Sequence, residues 1–105
     1  MATPSAPGVE AIHHFAWKCR DAEETRHFYE DILQLPLVMV VEENDVKTST
    51  GETLSFTHFF FEMNDGNYVA FFDFGDNKPA VPDPNTPRFA NHLAFKVNGE
   101  EEMLK

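Results

Sequence analysis

His14-Phe15-Ala16-Trp17-Lys18 recurs 78 residues later as His92-Leu93-Ala94-Phe95-Lys96, and in the same register Glu23-Glu24 meets Glu101-Glu102. His, Ala, Lys and a Glu pair at identical spacing indicate one supersecondary unit used twice. The first copy lies in an alternating stretch, Ala11 to Cys19: Phe15, Trp17 and Cys19 point one way, while Ile12, His14, Ala16 and Lys18 point the other. That is the period of a strand with one apolar face and one small or polar face. The expectation is that the 105 residues hold one complete unit and the opening of a second.

Outward from this strand, Asp21 and Glu24 form a capping-box-like helix start. Phe28, Tyr29, Ile32, Leu33 and Leu35 follow at helical spacing, and Leu35-Pro36 ends the helix. Leu37 to Val41 is an apolar run of strand length, and the polar stretch Glu42 to Thr53 reads as an exposed connection. Leu54 to Met63 and Asn67 to Phe74 flank Asn64-Asp65-Gly66, a hairpin signal. A turn centred on Asp65-Gly66 sets Phe61 opposite Ala70, Phe59 opposite Phe72 and Met63 opposite Tyr68 on one face. On the other face it sets His58 opposite Asp73 and Phe60 opposite Phe71. Gly75 to Arg88 carries Pro79, Pro82, Pro84 and Pro87, a composition that suits a linker and not a sheet.

Asn91 to Val97 is the repeated strand, and Asn98 caps a helix begun by Gly99 to Glu102. The predicted organisation is a flexible N-terminus over 1–10, a βαβββ module over 11–75, a Pro-rich linker over 76–89 and the start of a second module over 90–105. The fold class is α+β.

Eighteen acidic against eight basic residues give a net charge of -10. Such a surface repels nucleic acid and anionic membranes, so neither is expected as a partner. A single cysteine, Cys19, excludes an internal disulfide framework and a multi-cysteine zinc site. The first eight residues carry neither a basic flank nor an apolar run, so no signal peptide or membrane span is read there. The expectation is a soluble, cytoplasmic protein.

The strand-helix-three-strand order, the His-bearing first strand leading into Asp21, the helix with Phe28-Tyr29 and Leu33, and a second His-bearing strand after a Pro-rich linker resemble the vicinal oxygen chelate superfamily. This is the glyoxalase, bleomycin resistance protein and extradiol dioxygenase group. The resemblance covers about Ile12 to Val97. It implies two modules, from one chain or two, around a cup that holds a divalent metal. His14 and His92 then stand at the metal-ligand positions, with a further carboxylate from a last strand that the chain lacks. His13 falls on the wrong face by strand parity. Ala70 matches a position where glyoxalase I has a carboxylate and cannot bind metal, which leaves a two-His, one-carboxylate set suited to Fe(II), with Mn(II) as the alternative. With two ligands only, weak or absent occupancy is expected in this chain. Gln34 stands where the family commonly has Gly, and a left-handed backbone there would cost about 1 kcal/mol relative to Gly.

In the register given above, Phe59, Phe61, Tyr68 and Phe72 share a face with Ala70, the inner wall of the cup, and Phe60 and Phe71 pack on the helix. A cup lined by rings favours an aromatic or apolar small-molecule substrate. His58 reads as a structural cross-strand residue away from the cup, Lys18 and Lys96 as solvent-facing strand-end residues, and His27 as solvated. The leading expectation is extradiol-type ring cleavage of an aromatic vicinal diol by Fe(II), with no general base to name. The alternatives are a metal-free, ligand-sequestering protein of the bleomycin-resistance kind, and a lyase or thiol transferase on the same metal site. An incomplete second module cannot bury its apolar face alone, so pairing in a homodimer is expected.

Overall fold

The computed structural model describes residues 7–98. The elements are β1 (His14–Cys19), a helix that begins as α1 (Ala22–Arg26) and widens into a π-helical turn (His27–Ile32), β2 (Leu37–Lys47), β3 (Thr53–Glu62), β4 (Tyr68–Asp73) and a 3-10 turn (Arg88–Ala90). They form one four-stranded sheet in the order β1-β4-β3-β2, with β1 parallel to β4 and the other pairs antiparallel. This is the α+β, βαβββ arrangement expected from the sequence. The helix lies on one face of the sheet. Among the described residues, no helix is long and apolar enough to cross a membrane.

Both ends of the helix are tied to the sheet. Asp21 accepts from the Glu24 N–H at 3.1 Å, and Asp73, at the end of β4, accepts from the Ala22 N–H at 2.8 Å. Two carboxylates therefore satisfy the first free amides, where the helix dipole also favours negative charge. At the far end Glu30 accepts from the Leu37 N–H at 2.9 Å, which holds the start of β2. Arg26 bridges Glu23, Glu30 and Asp31 along the outer surface. The wide turn closes with the Leu35 N–H on the Tyr29 carbonyl at 2.9 Å.

The core is Cys19, Phe59, Phe61, Val69 and Phe71, with Trp17, Ala22, Tyr29, Leu35, Leu37 and Met63 packed against it. Tyr29 is the helix's main contribution, its ring 4.9 Å from Phe71 and 5.6 Å from Phe61. Phe28, Ile32 and Leu33 were expected on the packed stripe, yet all three are exposed. A helix that widens to π geometry no longer repeats at 3.6 residues, so its apolar positions drift off the sheet-facing side.

The β3-β4 hairpin differs from expectation by one residue. The Met63 N–H donates to the Asn67 carbonyl at 2.8 Å and the Gly66 N–H to the Met63 carbonyl at 3.0 Å. Gly66 has φ +85°, and the Asp65 carboxylate accepts from the Asn67 N–H. This is a three-residue loop, Asn64-Asp65-Gly66, with glycine at the left-handed position, rather than a two-residue turn. Phe61 thus faces Val69, Phe60 faces Ala70, Phe59 faces Phe71, His58 faces Phe72 and Thr57 faces Asp73. A one-residue slip exchanges the faces of every side chain on β3 relative to β4.

Two further expectations are corrected. The polar stretch after Val41 is mostly strand, because β2 runs to Lys47 and pairs with β3 through backbone groups whatever the side chains. A bulge between Glu43 and Val46 absorbs the irregularity, with Asp45 at φ 56° and its N–H on Ser55 Oγ. Asn91 to Val97, read as a strand, has no regular structure. A strand needs a neighbour to bond its amides, and no strand among the described residues pairs with it. The helix start at Gly99 to Glu102 and residues 1–6 lie outside the described residues.

Gln34 does adopt the left-handed conformation, φ 64°. Gln34→Gly is expected to raise the free energy of unfolding by about 1 kcal/mol; a urea midpoint unchanged or lowered in the variant would contradict this.

Candidate functional site

The helix covers one face of the sheet and leaves the other open. Register assigns that open face: His14, Ala16 and Lys18 from β1; Tyr68, Ala70 and Phe72 from β4; Phe56, His58 and Phe60 from β3; Met39 and Val41 from β2. Ala16 pairs with Ala70, so two methyl groups form a low floor between taller side chains. The His14 ring leans over this floor, 5.4 Å from Phe60 and 6.3 Å from His58 between ring centroids. Ala70 beneath has no exposed surface.

Rings continue along the face. His58 stacks on Phe72 with centroids 3.9 Å apart and planes 12° apart, and lies 4.3 Å from Phe60. Phe56 joins Phe72 at 5.2 Å and Phe74 at 5.7 Å. Tyr68 lies 6.1 Å from Phe60 and 5.2 Å from the His13 ring. Lys18 closes one end: its ammonium binds Asp76 at 3.1 Å and the Lys78 carbonyl, and sits 5.9 Å from the Phe74 ring centre. It clamps the segment after β4 to the sheet.

Of the residues singled out from sequence, His14, Tyr68 and Phe72 stand on this open face. Phe59 and Phe61 do not: they are 3% and 0% exposed, inside the core under the helix. The cause is the three-residue hairpin loop. Phe60, assigned from sequence to the helix side, takes their place.

His58 was read as structural because its expected register set it opposite Asp73 and away from His14. In the structure it is the nearest β3 imidazole to His14, and its Nε2 is enclosed without a hydrogen-bond partner. The signal that could have found it was Gly66, which fits a left-handed third loop position as well as a two-residue turn. Asp73 is free to cap the helix for the same reason.

His13 also departs from the parity argument, since β1 begins only at His14. Its carbonyl accepts from the Tyr68 N–H at 2.9 Å, and its Nδ1 lies 2.9 Å from Nδ1 of His14. One of these two nitrogens donates and the other accepts, so the pair holds complementary tautomers. That engages Nδ1 of His14 and leaves its Nε2 for the open face.

His92 is not brought to His14. Its Nδ1 donates to the Phe89 carbonyl at 3.1 Å. Leu93 and Phe95 instead join Trp17, Lys18, Tyr29 and Phe71 around a hollow of about 290 Å³. Trp17 and Phe71 point to the helix side, so this segment lies against the face that His14 does not use. Among the described residues, no three His, Cys, Asp or Glu side chains stand together as a metal would require. Among the described residues the donors around His14 are two imidazoles and no carboxylate, which does not make up a two-His, one-carboxylate centre.

Burial, and secondarily the charge of nearby His14, push the His58 imidazole below its ordinary value of 6.5. Burial likewise raises the Cys19 thiol, against a lowering hydrogen bond from Thr25, so Cys19 is a weak nucleophile at neutral pH.

A family model described as Glyoxalase/Bleomycin resistance protein/Dioxygenase superfamily matches residues 11–105. No curated protein and no solved structure matches the chain.

The lowered His58 value has a definite sign. Below the ordinary value the unfolded chain binds the proton more readily than the folded one, so stability rises with pH through that window and is complete above it. Melting temperature is expected to climb between about pH 5 and 7, and less steeply in His58→Gln. Equal slopes in the two proteins would refute the assignment.

Proposed function

The chain belongs to the Glyoxalase/Bleomycin resistance protein/Dioxygenase superfamily, and on that premise we propose that its open sheet face binds an aromatic or apolar small molecule. The ligand lies against Tyr68 and Phe72, with the buried Phe60 beneath them and His14 as a polar contact. The observation that carries this reading is the unbroken band of rings on the face the helix leaves uncovered, with the exposed His14 beside it on the edge strand. Rings offer an extended stacking surface with little conformational entropy to lose, and the neighbouring imidazole fixes orientation. A single sheet face is half an enclosure, and a second module in a homodimer supplies the opposite wall.

His14 acts through its Nε2, since the contact with His13 occupies Nδ1 and fixes the ring over Ala16 and Ala70. That nitrogen meets a hydroxyl or carbonyl of the ligand. Phe60 and Phe72 exclude water from the ring plane, which strengthens such a contact. This is the chemistry of a sequestering protein.

The second reading is an extradiol-type dioxygenase of aromatic vicinal diols. It is favoured by His14 standing on the open face together with Ala70, which offers no carboxylate there. The superfamily's divalent metal would supply Lewis-acid polarisation of the diol. The described residues do not bring His92 or a carboxylate to His14, so no step of that reaction is assigned to them.

Titration with catechol, followed by NMR with and without Fe(II), separates the readings. Binding is expected to shift signals of His14, Tyr68 and Phe72 and to leave Phe59 and Phe61 unmoved. His14→Ala should weaken binding about fivefold, the value of one hydrogen bond. Oxygen uptake that depends on Fe(II) and on His14 would replace sequestration by the dioxygenase reading, and an absence of shifts on the open face would sink both.

A further inference from the structure

His58 is the one side chain on the open face whose position costs stability without a visible return. Its Nε2 is enclosed and unpartnered. The rings of Phe72, Phe60 and His14 surround it at centroid distances of 3.9, 4.3 and 6.3 Å. A buried imidazole nitrogen without a hydrogen bond is unfavourable, and a phenylalanine or leucine would fill the same aromatic stack without that cost. The site is also not remote from solvent, because His14, which leans over it, is exposed. A ligand that reaches Nε2 displaces the exposed His14 ring and gives up its contact with His13.

We infer that His58 is a specificity-determining residue of the open face: its Nε2 takes up a hydroxyl of a bound aromatic ring and selects hydroxylated rings over their apolar analogues. The inference rests on the reading of that face as a binding surface. A hydroxyl suits the position because it both donates and accepts, so either neutral tautomer of His58 is satisfied by it. A site with an unpaired buried polar atom rejects the analogue that cannot pair with it, and this is the larger part of the discrimination. The stack of His58 on Phe72 holds the imidazole plane nearly parallel to the Phe72 ring. The ligand class is therefore phenolic, whatever chemistry follows.

The test compares p-cresol with toluene on the full chain, by NMR titration of wild type, His58→Leu and His58→Gln. Wild type is expected to prefer p-cresol by about tenfold. His58→Leu should bring that preference to within about twofold, keep toluene binding and melt at a higher temperature. His58→Gln, which again offers a donor and an acceptor, should restore part of the preference, an effect a purely packing role would not produce. A tenfold preference that survives in His58→Leu overturns the role of His58 and leaves the binding face standing. If neither compound shifts Tyr68 or Phe72 in wild type, the binding face is wrong and the role of His58 falls with it.

Discussion

Everything on both faces of the sheet depends on how β3 is paired with β4. The left-handed backbone of Gly66 and the Met63–Asn67 hydrogen bond close a three-residue loop. From there the pairing of Phe59 with Phe71 and of His58 with Phe72 is fixed down the hairpin. A β-branched residue at position 66 would resist φ +85°, and the favoured two-residue alternative would turn Phe59 and Phe61 out of the core. The same pairing places Asp73 on the helix side, where it caps Ala22 and anchors the helix. One turn thereby selects the core, the helix anchor and the composition of the open face.

The order of elements was legible because each carries a local pattern strong enough to stand alone. The alternation read over Ala11 to Cys19 formed a strand from His14, the capping residue Asp21 starts the helix, the helix ends shortly before Leu35-Pro36, and Asp65-Gly66 does mark a hairpin, though with a loop of three residues. Gln34 was legible too, as the residue forced into a glycine conformation. The register was not, since β3 and β4 are aromatic on both faces: Phe59, Phe60 and Phe61 look alike whichever way they point, and periodicity has nothing to distinguish them. The exposed side of the helix was hidden for a different reason. Phe28, Ile32 and Leu33 keep helical spacing in sequence, but the π-helical turn changes the period that spacing assumes.

The open face was legible in part. His14, Tyr68 and Phe72 were read onto it, and Ala70 was read as a position that cannot bind metal. His58 was missed because its reading depended on the register. His92 illustrates the limit of a repeat as evidence. Its surroundings in sequence copy those of His14, yet β1 owes its form to β4 beside it, and Asn91 to Val97 has no such neighbour among the described residues. Identical patterns give identical structure only when the partner is repeated as well. The superfamily match sets the scaffold, and the side chains on the open face, not the scaffold, carry the argument about ligand chemistry.

Cys19 closes β1 beneath the helix, buried among Phe59, Phe71 and their neighbours, and it is the chain's one thiol. Its sulfur opens to a reagent when the helix swings away from the sheet, which also breaks the cap that Asp73 on β4 places on Ala22. The rate of alkylation is thus a clock for helix undocking, read from a single unmodified atom. Because Cys19 belongs to the covered side and His14 to the uncovered one, that clock runs independently of ligand contact unless binding at the open face tightens the whole sheet.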